Sequence, residues 1–261
     1  MVQPRVLKNK PLVEAILEVR WALEAGPTPD MKRDPYYKFL LGKLFESVKK
    51  EYPHHEELPA AIAPEDLTPF MVHHRFRAKP DGWPLLQVGP GVFTVNETEA
   101  YQWVTFERCI NDAIPKLVAA HPEPEALKFD TIILRFINAI PLDFARVNVL
   151  TFLSEQMRTN CSLPSSIFEG GVVSGSPVEI SNQIVFPCTK PRGVLLFKFH
   201  SGKKREAPAL IFQISFVSRG DHVPTMPTGF NEWAEAAHAI VETSFFQLIA
   251  GDLEKEFSGD A

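Results

Sequence analysis

The chain has little cysteine, no long apolar run and no excess of positive charge, and each absence removes a class of function. Its three cysteines, Cys109, Cys161 and Cys188, lie far apart. No CxxC pair or His–Cys spacing suggests a zinc site, and reduced, buried thiols in a cytoplasmic protein are expected. No apolar run approaches the ~18 residues that a membrane span needs, and the N-terminal residues form no signal-like apolar core. With 27 basic against 32 acidic residues the net charge is −5, which does not suggest a dedicated nucleic-acid binder. There is no GxSxG elbow, and none of the cysteines has a neighbouring histidine, so nucleophilic catalysis has no signature. No cofactor motif stands out either.

Hydrophobic side chains are plentiful, 45% of 261 residues with 20 phenylalanines, so a substantial core is available. The 23 prolines punctuate the chain and build no run of repeated PxxP units. Two alternating stretches organise the rest. In Pro11–Trp21, Val13, Ala15, Leu17, Val19 and Trp21 share one strand face, while Glu14, Ile16, Glu18 and Arg20 share the other. In Phe129–Ile140, Ile132, Leu134, Phe136, Asn138 and Ile140 oppose Thr131, Ile133, Arg135 and Ile137. Each strand thus has an apolar face and a mixed face bearing one arginine, as in a sheet covered by helices on one side.

After each of these strands the pattern predicts a helix, antiparallel strands and a long helix. In the first half Asp34-Pro35 reads as a cap, with a helix over 35–51 whose stripe is Tyr36, Phe39, Leu40, Leu44 and Val48. Residues 53–69 read as a long loop, 71–79 and 85–96 as strands joined at Asp81-Gly82, and 103–120 as a helix that Pro115 should kink. In the second half a helix runs to about Met157. Strands follow over 171–180, 183–188, 193–200 and 210–218, and a helix over 231–257. The expected fold is α+β: two similar halves, 1–125 and 126–261, form one curved, mostly antiparallel sheet with helices on one face, as a duplication would leave.

Several constellations invite a chemical reading. As a strand, His73, Arg75, Arg77 and Lys79 form a basic ladder that could meet phosphates, or guard an exposed edge. His54-His55-Glu56-Glu57 lacks further ligands at a metal-site spacing and reads as a solvated loop. Val88-Gly89-Pro90-Gly91-Val92 continues as strand where a phosphate cradle needs a helix start, so a bulge or bend is expected. Glu14, Glu18, Arg20, Arg135 and Asn138 remain as a ligand or partner anchor if the two opening strands are neighbours, because arginine forks bind carboxylates and phosphates. A cross-strand salt-bridge ladder that fixes register is the other reading of the charged four. His238, beside the stripe of the last helix, reads as a satisfied buried histidine.

The segments Pro11–Trp21, Leu85–Val92, Trp103-x-x-Phe106, Leu134-Arg-Phe-Ile-Asn138 with Ile140-Pro141, and Ala237-His238 with Phe245 and Ile249 span nearly the whole chain. On them it resembles a sporadically distributed family of uncharacterised bacterial proteins of about this length. Phe136 stands where that family has tyrosine, and a threonine near Ala250 is missing. The resemblance transfers no activity; its patchy distribution is similar to that of antiviral defence genes and implies a regulatory or sensing role. The expectation is a non-enzymatic cytoplasmic protein that engages a protein partner and needs no metal or cofactor. A small-ligand or nucleotide-binding pocket between sheet and helices is the alternative, and nucleic-acid binding through His73–Lys79 the second.

Overall fold

The computed structural model describes residues 7–26, 28, 31–98 and 100–259. The first alternating stretch forms β1 (Leu12–Trp21), followed by two paired two-residue strands, β2 (Glu24–Ala25) and β3 (Lys32–Arg33), and by α1 (Tyr37–Val48). Then come β4 (His54–Glu57), β5 (His74–Arg77), β6 (Leu85–Gly89), β7 (Val92–Glu97) and α2 (Trp103–Ala120). The second half comprises β8 (Phe129–Pro141), α3 (Val149–Gln156), β9 (Ser181–Thr189), β10 (Arg192–Lys204), β11 (Ala207–Arg219), α4 (Phe230–Ile249) and α5 (Asp252–Ser258).

Nine strands form one curved antiparallel sheet in the order β4-β5-β6-β7-β1-β8-β11-β10-β9. β1 and β8 are neighbours at its centre, with Leu17 opposite Leu134 and Glu18 opposite Ile133. In each half the first strand pairs with the last strand of its own meander, β7 for β1 and β11 for β8. The strand order is therefore the same on both sides of the central pair.

One face of the sheet carries the core. Ala15, Leu17, Val19 and Trp21 of β1 and Ile132, Leu134 and Phe136 of β8 are buried on it, as their alternation requires. α2 packs there through Phe106, Ile110, Ala113 and Leu117, and α4 through Trp233, Ala234, Ala237 and Val241. A tryptophan is tied by its ring N–H in each half. Trp21 Nε1 donates to Asp34 at 2.9 Å, and Trp233 Nε1 donates to Ser218 at 2.9 Å.

Several local expectations are corrected. Val13 leaves the core face, because a register shift between Leu12 and Glu14 turns it outward. Asp34 stands before the N-cap position, which is Tyr36; its carboxylate accepts from the Tyr36 backbone N–H at 3.2 Å and also from Trp21 and the Gly91 N–H. The α1 stripe is Tyr37, Leu40, Leu44 and Val48, with Phe39 exposed. Residues 53–69 contain β4 and two short 3-10 turns, and 71–79 contributes only the four residues of β5.

The expected strand 85–96 is two strands joined at Pro90-Gly91. Gly91 takes φ +76°, and a side chain on Gly89 would collide with the Met71 carbonyl. Residues 171–180 form no strand. Pro115 sits inside α2 without ending it. The last helix is divided at Gly251, whose φ of +120° no helix accommodates. The three thiols are free and half-buried instead of buried.

Candidate functional site

The mixed face of β1 and β8 looks outward, and its charges gather on Glu18, with Arg135 Nε left buried and without a hydrogen-bond partner among the described residues. Arg20 donates through Nε to Glu18 Oε1 at 2.6 Å, and Arg135 approaches Glu18 Oε2 at 3.7 Å. Glu18 is buried beneath these guanidiniums. Glu14 accepts from Asn96 Nδ2 at 2.8 Å, and Asn96 accepts in turn from Thr94 and Gln87. Gln87 Oε1 takes the Arg75 guanidinium at 3.1 and 3.2 Å, and Glu56 takes Arg75 and Arg77. A hydrogen-bonded network thus runs from β4 across β7 to Glu14 on β1, with the Glu18 cluster beside it.

The basic ladder expected over His73–Lys79 does not exist as such. His73 lies outside β5, buried, and hydrogen-bonds Thr68 at 2.8 Å. Arg75 and Arg77 share the one carboxylate of Glu56, and Lys79 lies in the turn beyond the strand. His55 Nε2 and His74 Nδ1 sit 2.9 Å apart. Among the described residues no group of three or more His, Cys, Asp or Glu is placed to hold a metal ion. None of their helices is long and apolar enough to cross a membrane.

Asn138 separates from the rest of its expected set. It points to the helix face, opposite Glu14, Glu18, Arg20 and Arg135, and is 2% exposed. There it lines a cavity of about 460 Å³ between the sheet, the loop leading into α2, and α4. Phe136, Ile214 and Leu12 join Asn138 as the sheet side of the cavity. Tyr101 and Trp103 line it from the α2 side; His238, Val241 and Phe245 line it from α4. Lys10 and Glu242 are the charged members of its lining. The Lys10 ammonium donates to the Tyr101 carbonyl at 2.6 Å, which ties the N-terminal segment to the loop.

The aromatic wall is built by contacts across elements. Trp103 and His238 stack in parallel with centroids 3.8 Å apart, and Tyr101 meets Phe136 edge-on at 5.4 Å. Burial lowers the His238 pKa to about 4, so its imidazole is neutral at neutral pH. Desolvation, reinforced by Glu242 and Glu107, raises the Tyr101 phenol well above its ordinary value and keeps it protonated. Asn138 Nδ2 and the Tyr101 hydroxyl are both buried without a hydrogen-bond partner among the described residues. Most buried polar atoms are paired, so two unpaired ones in the wall of one cavity are unusual.

The sequence pointed to Asn138 but not to Tyr101, which stands in an irregular segment just before α2. Its signal was available only as an aromatic two residues before the Trp103 helix start. His238 is buried as expected, held by stacking on Trp103.

No family model matches the chain, and no curated protein is similar to it. Among solved structures it is similar to the di-domain ARO/CYC StfQ from the steffimycin biosynthetic pathway, with 10% sequence identity over 72% of this chain and 74% of that one. The TM-score is 0.23, too low for the likeness to bear on fold or function.

Proposed function

We propose that the protein binds a small, mostly apolar, uncharged organic molecule in the cavity between sheet and helices, and holds it without turnover. The observation that carries this reading is the pair of unpartnered buried donors, Asn138 Nδ2 and the Tyr101 hydroxyl, in a wall otherwise aromatic and aliphatic. Leaving a buried donor unpaired costs about 1–3 kcal/mol, and a ligand carbonyl or ether oxygen would recover that cost. The cavity volume is in the range of small-molecule sites, which are characteristically apolar with few polar groups. An uncharged ligand is favoured over a nucleotide because the arginines stand on the opposite face, engaged by Glu18, and His238 is neutral.

Trp103, Asn138, His238 and Phe245, which the resemblance singles out, meet at this cavity, which supports reading it as the working part of the molecule. Holding a ligand without turnover suits a sensor or carrier, and a regulatory role would then begin here. The first test is a titration with Nile red, an uncharged apolar dye with a ring carbonyl, alongside native mass spectrometry of the purified protein. One saturable site is expected, weakened at least about tenfold when Val241→Phe adds bulk to the cavity wall. Absence of saturable binding, or binding indifferent to both Val241→Phe and Asn138→Leu, would overturn the reading.

A further inference from the structure

The two edges of the sheet are built in opposite ways. β4 is four residues long and consists of His54, His55, Glu56 and Glu57, a short and charged edge of the kind that resists strand addition. β9 is nine residues long and contains no charged side chain. Its central Val185 and Phe186 are about half exposed, at 46% and 50%. A long, uncharged and partly apolar edge is a surface for pairing with another strand.

The backbone pattern says which groups it offers. Ser201 N–H donates to the Ile180 carbonyl at 2.9 Å, so this is a hydrogen-bonded pair of the β9–β10 ladder. Bonded and non-bonded pairs alternate along an antiparallel ladder. Asn182, Ile184 and Phe186 therefore bond to β10, while Ser181, Gln183 and Val185 turn their N–H and C=O groups away from the sheet. Pro187 falls on the same outward series, which is where a residue without an N–H costs the ladder nothing.

We infer that β9 is the dimer contact of this chain, pairing antiparallel with β9 of a second copy about a two-fold axis at Gln183. In that register Ser181 faces Val185 of the second copy, and Gln183 faces its counterpart. Every outward N–H and C=O from Ser181 to Val185 is then paired, and Pro187 falls just beyond the paired segment. The same register brings the exposed Glu179, before β9, towards the exposed Lys190 and Arg192 at the β9–β10 turn of the second copy. None of these three forms an ion pair among the described residues, so opposite charges meet at both ends of the contact. Phe186 gains Ile180 of the second copy on the helix side. Charge complementarity at the ends and self-complementary bonding in the middle favour a second copy over an unrelated strand.

Sedimentation of the full chain from about 1 to about 500 μM spans the range in which so small a contact associates. A concentration-dependent dimer is expected. Gln183→Pro removes only an N–H that points outward, so it should leave the circular dichroism unchanged while weakening the dimer about thirtyfold, the loss of two hydrogen bonds. Separately, Gln183→Cys should give a disulfide-linked dimer under mild oxidation that the wild-type chain, with its three native cysteines, does not give, because paired Cα atoms lie about 5.5 Å apart. A chain that stays monomeric throughout, or a dimer that survives Gln183→Pro with its fold intact, overturns the inference. So does failure of Gln183→Cys to cross-link.

Discussion

On the outer face of the central strands, Glu18 lies between Arg20 and Arg135, and Glu14 is held by Asn96. On the helix face of the same strand pair, Asn138 lines a cavity, and its amide nitrogen is buried with no partner among the described residues. The charged group is the more conspicuous in the sequence, yet its members largely answer one another, as a register-fixing ladder does. The single neutral amide, by contrast, keeps unspent bonding capacity where no described residue supplies a partner. Polar residues without internal partners are the better guide to binding than those with the highest formal charge.

The largest effect that would test this contrast belongs to His238. Its neutral form is favoured in the folded chain, with the pKa lowered from 6.5 to about 4 by burial. The unfolded chain therefore holds more protons between those values. The contribution of His238 is complete above pH 6.5 and lost as pH falls towards 4, by about 3 kcal/mol in total. Urea unfolding across that window should show wild type losing this much more stability than His238→Phe, which keeps an aromatic ring against Trp103. Equal pH dependence in the two proteins would show that burial does not hold the imidazole neutral, and would weaken the account of an uncharged cavity wall.

A smaller loss is expected on the outer face. Glu18→Ala leaves Arg20 and Arg135 without their shared carboxylate. Because both guanidiniums remain partly exposed, the cost should be about 2 kcal/mol, below that of breaking a fully buried pair. Urea unfolding measures it, and binding of the fluorescent probe in the cavity should not change. A variant that lost probe binding at unchanged stability would show that the two faces are coupled.

Much of this arrangement can be read from residue order. The alternation of Ala15, Leu17, Val19 and Trp21 fixes which side of β1 the helices cover, and the stripe from Phe106 to Leu117 defines α2. Strand parity likewise places Asn138 with Leu134 and Phe136, on the side away from Arg135. What the pattern could not supply depends on partners distant in the chain. β4, with the sequence His-His-Glu-Glu, has little intrinsic strand preference and forms because β5 pairs with it. Val13 has an apolar side chain in a core position of the alternation, and only the irregular pairing with β8 ejects it. The cavity is assembled from five separate stretches of chain, so Tyr101 gains its meaning from Phe136 and α4, over distances that no local periodicity records.

The smallest effect on stability should come from Asn138→Leu, and it should have the opposite sign. Leucine has nearly the shape of asparagine and removes a buried amide nitrogen that has no partner. The unliganded protein should therefore gain up to about 1 kcal/mol, since an unsatisfied buried donor is worth less than an apolar group of the same shape. Phe212 and Leu12 flank position 138 in the neighbouring strands, so the added methyl groups meet apolar surroundings. Ligand affinity should fall at the same time, by at least about tenfold, because the ligand loses the amide that recognises its oxygen. Thermal unfolding with and without probe separates these two consequences. A higher melting temperature with weaker binding identifies Asn138 as a group kept for the ligand at the expense of the fold. A lower melting temperature would mean that the amide has a structural partner, and Tyr101 alone would then be left to recognise the ligand.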